Sequence, residues 1–292
     1  MESQPPPQKQ PKVILFDIGG VCVVSPFQAI LDYELSLGIP PGWVNFSISN
    51  SAPNGFWHRL ERGAIPMDAA FFAGFNRDLH DVVRWEAFYH TQREKNPHLG
   101  LPVRVPTVPE IDGERLFNEM MRSSQGPDPW MFPALKSLKA SGKYIIAALS
   151  NTVIFPPGHD LYTENPADGP VRRIFDIFIS SAHVGLRKPD PEIYKLALDM
   201  VSNFATQRAA VDDNAKRLGW GEGVQAGEIL FLDDIGENLR AAKSLGFQTI
   251  KVHLGQAFEA VDELERVTGL KLAGDHPKIP SKLSMKGPKA RM

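Results

Sequence analysis

Five short apolar runs punctuate the chain: Lys12–Asp17 (KVILFD), Tyr144–Leu149 (YIIAAL), Phe175–Ile179 (FDIFI), Ile229–Asp233 (ILFLD) and Thr249–His253 (TIKVH). Such runs suit strands covered on both faces, as in a parallel sheet. Helical patterns separate them. Trp130–Ser141 carries its apolar residues at helical spacing and is followed by Gly142 as a C-cap. Pro191–Val201 follows a Pro-Asp-Pro start that suits a helix N-terminus, and Glu237–Leu245 stops at Gly246. The alternation predicts an α/β fold with a doubly wound, Rossmann-like parallel sheet.

One interval breaks the alternation. About 100 residues separate the first run from the helix before YIIAAL, too long for a structureless loop. We expect a helical subdomain over residues 27–125, inserted into a core built from 12–26 and 126–272. From Trp43 to Tyr89 this insert is rich in aromatics, which a small helical bundle needs to fill its own core. A sharper role for some of them is the lining of an apolar pocket. The first 11 residues, with Pro5, Pro6, Pro7 and Pro11, predict a disordered leader. Residues 273–292 carry Lys278, Lys282, Lys286, Lys289 and Arg291, with no acid after Asp275, and predict a basic flexible tail.

Composition narrows the function. Among 292 residues, 32 Lys+Arg against 34 Asp+Glu leave a formal charge of −2, which argues against nucleic acid as a partner. No apolar run approaches the roughly 18 to 20 residues of a membrane span. Cys22 is the sole cysteine, so a disulfide framework within the chain and a cysteine zinc site are excluded. A reducing, cytoplasmic setting is expected.

In parallel α/β sheets ligands bind beyond the carboxyl ends of the strands. Past the first run lie Asp17-Ile18-Gly19-Gly20, past the second Ser150-Asn151-Thr152, past the third Arg187-Lys188-Pro189-Asp190, and the fourth ends in Asp233-Asp234. A carboxylate, a hydroxyl–amide pair, a cation and an acid pair are what phosphoryl transfer needs: nucleophile, charge neutralisation and restraint. A hard divalent cation such as Mg²⁺ suits Asp17 and Asp234, Ser150 and Asn151 can donate to phosphate oxygens, and Lys188 adds fixed positive charge.

The segments FDIGGV, LSNT, GLRKPDPEIY and FLDDIGENL resemble, in this order, the signatures of the haloacid dehalogenase superfamily. The likeness runs from about Lys12 to Leu272. It is greatest to the N-terminal phosphatase domain of soluble epoxide hydrolases, whose closing segment FLDDIGENLRAAKSLGFQTIKV and ELERVTGLKL resemble. No α/β-hydrolase domain follows, so epoxide hydrolysis is not implied. The resemblance implies that Asp17 is nucleophile and metal ligand, that the Gly19 carbonyl and Asp234 complete the protein ligands of Mg²⁺, and that Asp233 holds Lys188 or a metal-bound water. It implies that Ser150 and Asn151 bind phosphate and that the helical insert is a cap closing over the site. The activity implied is a Mg²⁺-dependent phosphatase acting on a small phosphorylated metabolite through an aspartyl-phosphate.

The chain departs from that pattern at Gly19, where most phosphatases of this kind have an aspartate that protonates the leaving group. Loss of a general acid costs about 10²- to 10⁴-fold in rate, less for an activated leaving group. Two alternatives stay open: a metal-independent 2-haloacid dehalogenase, and an impaired phosphatase that binds a phosphorylated ligand. The aromatic insert points to lysolipid phosphates, the missing acid to sugar phosphates. His183, five residues before Lys188, is a candidate to replace the proton donor, whereas the other histidines show no ligand spacing and are expected at the surface or in packing. Cys22 is expected to be buried and inert. The segment Phe56–Gly63 (FWHRLERG) resembles a cap segment and is expected to present a solvated helix face. The ending Ala290-Arg291-Met292 fits a degenerate Ser-Lys-Leu peroxisomal address, which implies an import receptor as partner and a peroxisomal location.

Overall fold

In the computed structural model, which describes residues 9–164 and 169–281, the five apolar runs lie side by side in one parallel sheet. The strands are β1 (Val13–Phe16), β2 (Ile145–Ser150), β3 (Ile177–Ser180), β4 (Ile229–Asp233) and β5 (Gln248–Lys251), in the order β3-β2-β1-β4-β5. The third run starts later than its apolar pattern, because Asp176 is spent on bracketing β2: its N–H donates to the Ile146 carbonyl at 2.7 Å and its carboxylate accepts from Ile146 N at 3.0 Å.

Alternation within the strands feeds two cores. Ile14, Phe16, Ile146, Leu230 and Leu232 face α7 (Met131–Ser141) and α12 (Ala257–Thr268). Val13, Leu15, Ile145, Ala147, Ile229 and Phe231 face α9 (Pro191–Val211) and α11 (Gly236–Ser244). Both faces are therefore covered, as the continuous apolar runs require. Helix α9 runs past the expected stop at Val201, because Ala205 and Ala209 extend the buried stripe of Ile193, Ala197 and Val201 at four-residue spacing. The short helices α8 (Ser181–Val184) and α10 (Asp213–Arg217) complete this body.

The insert is helical throughout: α1 (Phe27–Ser36), α2 (Trp43–Asn50), α3 (Phe56–Glu61), α4 (Ala69–Leu79), α5 (Val82–Lys95) and α6 (Gly113–Ser123). Its aromatics form its own core, with Trp43 edge-on to Trp85 at 5.1 Å and Phe71 stacked on Phe75 at 5.8 Å. Glu34 is buried there. Its two carboxylate oxygens accept from Gly42 N at 2.7 Å and Val44 N at 2.8 Å, closing the amino end of α2 from a neighbouring helix.

Both chain ends engage the core further than their composition suggests. Lys9 reaches Gln225 and accepts from Gln248 at 2.6 Å, and Pro11 is buried. Residues 273–281, expected to be flexible, lie along α7 and α12: Trp130 packs edge-on against His276 and donates to the Pro277 carbonyl at 3.0 Å, and Lys278 pairs with Asp262. The tripeptide Ala290-Arg291-Met292 lies outside the described residues. Among the described residues no helix is long and apolar enough to cross a membrane.

Candidate functional site

Strand neighbours decide which acids meet. β1 and β4 are paired in register, with Phe16 opposite Leu232, so the next residues, Asp17 and Asp233, emerge together at the carboxyl edge. Asp17, Asp233 and Asp234 each offer an oxygen within 4.8 Å of the others. Gly20 makes this approach feasible. It has φ +74°, and a β-carbon there would lie 2.8 Å from Asp234 Oδ2.

Lys188 enters between the acids from the loop after α8. Its ammonium lies 2.9 Å from Asp17 Oδ1 and 2.7 Å from Asp233 Oδ2 and is 1% exposed. The loop is fixed by Asn151, whose side-chain oxygen accepts from Lys188 N at 2.9 Å while its amide donates to the Lys188 carbonyl at 3.1 Å. Asn151, expected to face phosphate, thus spends both ends of its carboxamide on the lysine backbone. Ser150 is a largely buried residue at the carboxyl end of β2, and its hydroxyl hydrogen-bonds to no described residue.

The three acids are not equivalent. Asp233 is saturated: Asn238 donates to both oxygens at 3.1 Å, Ile235 N to Oδ1 at 2.7 Å, and Lys188 to Oδ2. Asp17 uses Oδ1 for Lys188 and for Ile18 N at 2.6 Å, which leaves Oδ2 open. Burial raises the Asp17 carboxyl to about 6, against the pull of Lys188. Asp234 is raised to about 8, by burial first and then by repulsion from Asp17 and Asp233. Burial opposes the Lys188 charge, but Asp17 and Asp233 outweigh it and hold the ammonium protonated. Three buried or half-buried acids whose hard oxygens lie within 4.8 Å of one another fit a divalent cation such as Mg²⁺. Gly19 faces open space, since a β-carbon there would meet nothing within 4 Å.

All four signatures therefore converge at one edge of a parallel sheet in the order β3-β2-β1-β4-β5. This arrangement resembles that of the haloacid dehalogenase superfamily. No protein-family model matches the chain. It is 27% identical over 261 residues to acyl-CoA dehydrogenase family member 10 of Mus musculus, covering 89% of the chain and 19% of that protein. It is 25% identical over 259 residues to bifunctional epoxide hydrolase 2 of Rattus norvegicus, covering 88% of the chain and 39% of that protein. The chain thus spans well under half of these relatives. A HAD-family enzyme of Bacteroides thetaiotaomicron, solved with magnesium and inorganic phosphate, is 19% identical and covers 84% of this chain and 96% of its own, with a TM-score of 0.45.

Several residues of this site escaped the sequence. Asn238 stands one helical turn into α11, where only the fold shows that it faces Asp233. Glu61 and Arg187, 126 residues apart, form a partly buried ion pair at 2.7 Å between α3 and the loop of Lys188. Ser181 adds to the same junction, donating to the Glu61 carbonyl at 2.5 Å. The expectation of a solvated face for Phe56–Gly63 is corrected here: Trp57, His58, Leu60 and Glu61 are buried, because α3 is clamped between the aromatic core of the insert and α8. Gly63, at φ +63°, lies so close that a β-carbon would sit 2.1 Å from the Ala182 carbonyl. His183 is exposed and its Nδ1 is bonded to Ser180 Oγ at 2.7 Å. Cys22 is buried, its thiol donating to the Asp17 carbonyl at 3.1 Å and its ionisation suppressed by burial.

Proposed function

We propose that the protein is a Mg²⁺-dependent phosphomonoesterase of small phosphorylated metabolites, with Asp17 as nucleophile. The observation that carries this reading is the bridge from Asp17 through the buried Lys188 ammonium to Asp233, beside the raised carboxyl of Asp234. Asp17 Oδ2 is the open oxygen and attacks phosphorus, the ester oxygen departs, and water later hydrolyses the aspartyl-phosphate. Lys188 holds Oδ1, which orients the nucleophile and offsets charge on the transferred group. Ser150 donates to a phosphate oxygen. Asn151 acts through the Lys188 backbone, and Asp233 through its ammonium. Asp17, Asp234 and the Gly19 carbonyl would hold the cation, which when bound supplies the positive charge that lets a carboxylate approach a phosphate. The helical insert serves as the cap that excludes water.

Asp234 favours this reading over metal-independent dehalogenation, since two acidic neighbours make an ionised third acid costly without a cation. The test is phosphate release from a panel of sugar, nucleotide and lysolipid phosphates with Mg²⁺ and with excess EDTA. Turnover should require Mg²⁺ and fall by at least about 10³-fold in Asp17→Asn with the fold intact. Full activity in Asp17→Asn, or halide release from a haloacid in EDTA, overturns the assignment. The peroxisomal address is a separate proposal: fused to a reporter, the terminal tripeptide should direct import, and its deletion should abolish it.

A further inference from the structure

Among the described residues only two buried side-chain atoms lack a hydrogen-bond partner, and one of them is His58 Nδ1, on the helix whose Glu61 pairs with Arg187 next to Lys188. His58 is 3% exposed and lies one helical turn before Glu61 on α3, so both occupy the face turned to the loop of Arg187 and Lys188. Buried polar atoms are rarely left unpaired, and an unpaired one costs about 1–3 kcal/mol.

The surroundings define what could pair with it. Two guanidinium groups act on the ring, those of Arg187 and Arg62, and each is already engaged: Arg187 with Glu61 at 2.7 Å and Arg62 with the Pro53 carbonyl at 2.9 Å. Burial, with both arginines, holds the imidazole neutral by lowering it to about 4, so it is a hydrogen-bonding group and not an acid. Trp57 and Leu60 of the same helix belong to the apolar core of the insert, with Phe75 and Phe117 packed on Trp57. A fully apolar leaving group would leave Nδ1 unpaired, and sites built to bond a hydroxyl discriminate strongly against analogues lacking it.

We propose that His58 Nδ1 is a specificity contact for a hydroxyl on the leaving group, so that the substrates are phosphate esters of polyols or sugars and not of alkyl chains. This inference rests on the phosphatase reading and concerns which ester the site selects. The probes are a matched pair, glucose 6-phosphate and cyclohexylmethyl phosphate, alike in bulk and differing in hydroxyls. In His58→Phe the ratio of the two kcat/KM values should fall about tenfold towards the apolar ester. His58→Asn, whose amide reaches the position of Nδ1, should restore the ratio to within about threefold, whereas His58→Gln, which reaches that of Nε2, should not. An unchanged ratio in folded His58→Phe, or in His58→Gln should the first variant not fold, overturns the proposal and assigns the nitrogen to a buried water. Calorimetry of both esters with Asp17→Asn separates this from failure of the phosphatase reading. Preferential binding of the sugar ester that His58→Phe removes keeps the proposal even if no phosphate is released, and binding of neither ester overturns both.

Discussion

Lys188 carries more of the site than any other single residue. Its ammonium separates Asp17 from Asp233 in a place that water hardly reaches. Removing one partner of a buried ion network leaves uncompensated charge, at about 3–5 kcal/mol. Lys188→Met should therefore lower unfolding free energy by about 3 kcal/mol in urea titrations without metal, and part of that loss should return with Mg²⁺, which offers the acids another cation. A loss below about 1 kcal/mol would show that the acids do not depend on the lysine. Gly19 makes the opposite case. Open space around its β-position means that Gly19→Asp fits without strain, and the added carboxyl can protonate a departing oxygen. Turnover of alkyl phosphates should rise about 10²-fold relative to nitrophenyl phosphate, which needs little protonation; an unchanged ratio counts against the assigned leaving-group side. Asp17 and the acid pair were legible because they close apolar runs, and Lys188 because it stands directly before Pro-Asp-Pro. The role of Asn151 was not, because Ser-Asn-Thr at a strand end looks alike whether its amide meets a phosphate or a neighbouring loop.

At the scale of elements, helix α3 is the piece whose position the sequence concealed. FWHRLERG mixes aromatic and charged residues without a clean polar face, and its burial follows from partners far along the chain, Ser181 and Arg187. Gly63→Ala tests that docking. The methyl group would collide with the Ala182 carbonyl and demand a left-handed backbone of alanine, so stability should drop by about 2 kcal/mol, measured by thermal melting. An unshifted melting point would mean that α3 is not pressed on the core. Strands were easier to locate, since burial on both faces writes itself as continuous apolar runs. The extension of α9 was missed because alanines mark its last buried turns. Helix α2 provides a pH signature. Burial raises the Glu34 carboxyl to about 7 in the fold, against an ordinary 4.5, with the backbone N–H groups of Gly42 and Val44 opposing. The folded state therefore holds this proton more tightly than the unfolded chain. Stability from this group is complete below about pH 4.5 and declines as pH rises through 7, by at most about 3 kcal/mol. Glu34→Gln should flatten that slope, and an identical pH profile of unfolding in the two proteins would place the ionised carboxylate comfortably in its ring of amides.

For the molecule as a whole, the question is how a cap with its own aromatic core is tied to the sheet. Its existence could be read from the long interval between the first two strands. Its attachment could not, because the fastening residues have no local signature. Two of its tethers bear on how it could move. The crossing segments run side by side, with Val24 N bonded to the Gly126 carbonyl at 2.9 Å and Asp128 N to the Cys22 carbonyl at 2.9 Å. Away from this hinge, α3 is latched by the Glu61–Arg187 pair and Ser181. Together with the pairs that α6 makes to the loop after β2, Arg122–Asp160 at 2.8 Å and Asn118–His159 at 3.2 Å, this latch makes opening a local event, whose free energy is set by such contacts and not by global stability. Glu61→Gln weakens the ion pair while leaving the Glu61 carbonyl bonded to Ser181. Amide exchange followed by mass spectrometry should then accelerate about tenfold over residues 55–64 and 180–188 and stay unchanged in β1 and β4. KM for a phosphate ester should rise while kcat holds or increases, since an open cap retains substrate poorly and releases product freely. Exchange that accelerates equally in the central strands would show that Glu61 supports the whole fold, and the latch would have to be abandoned.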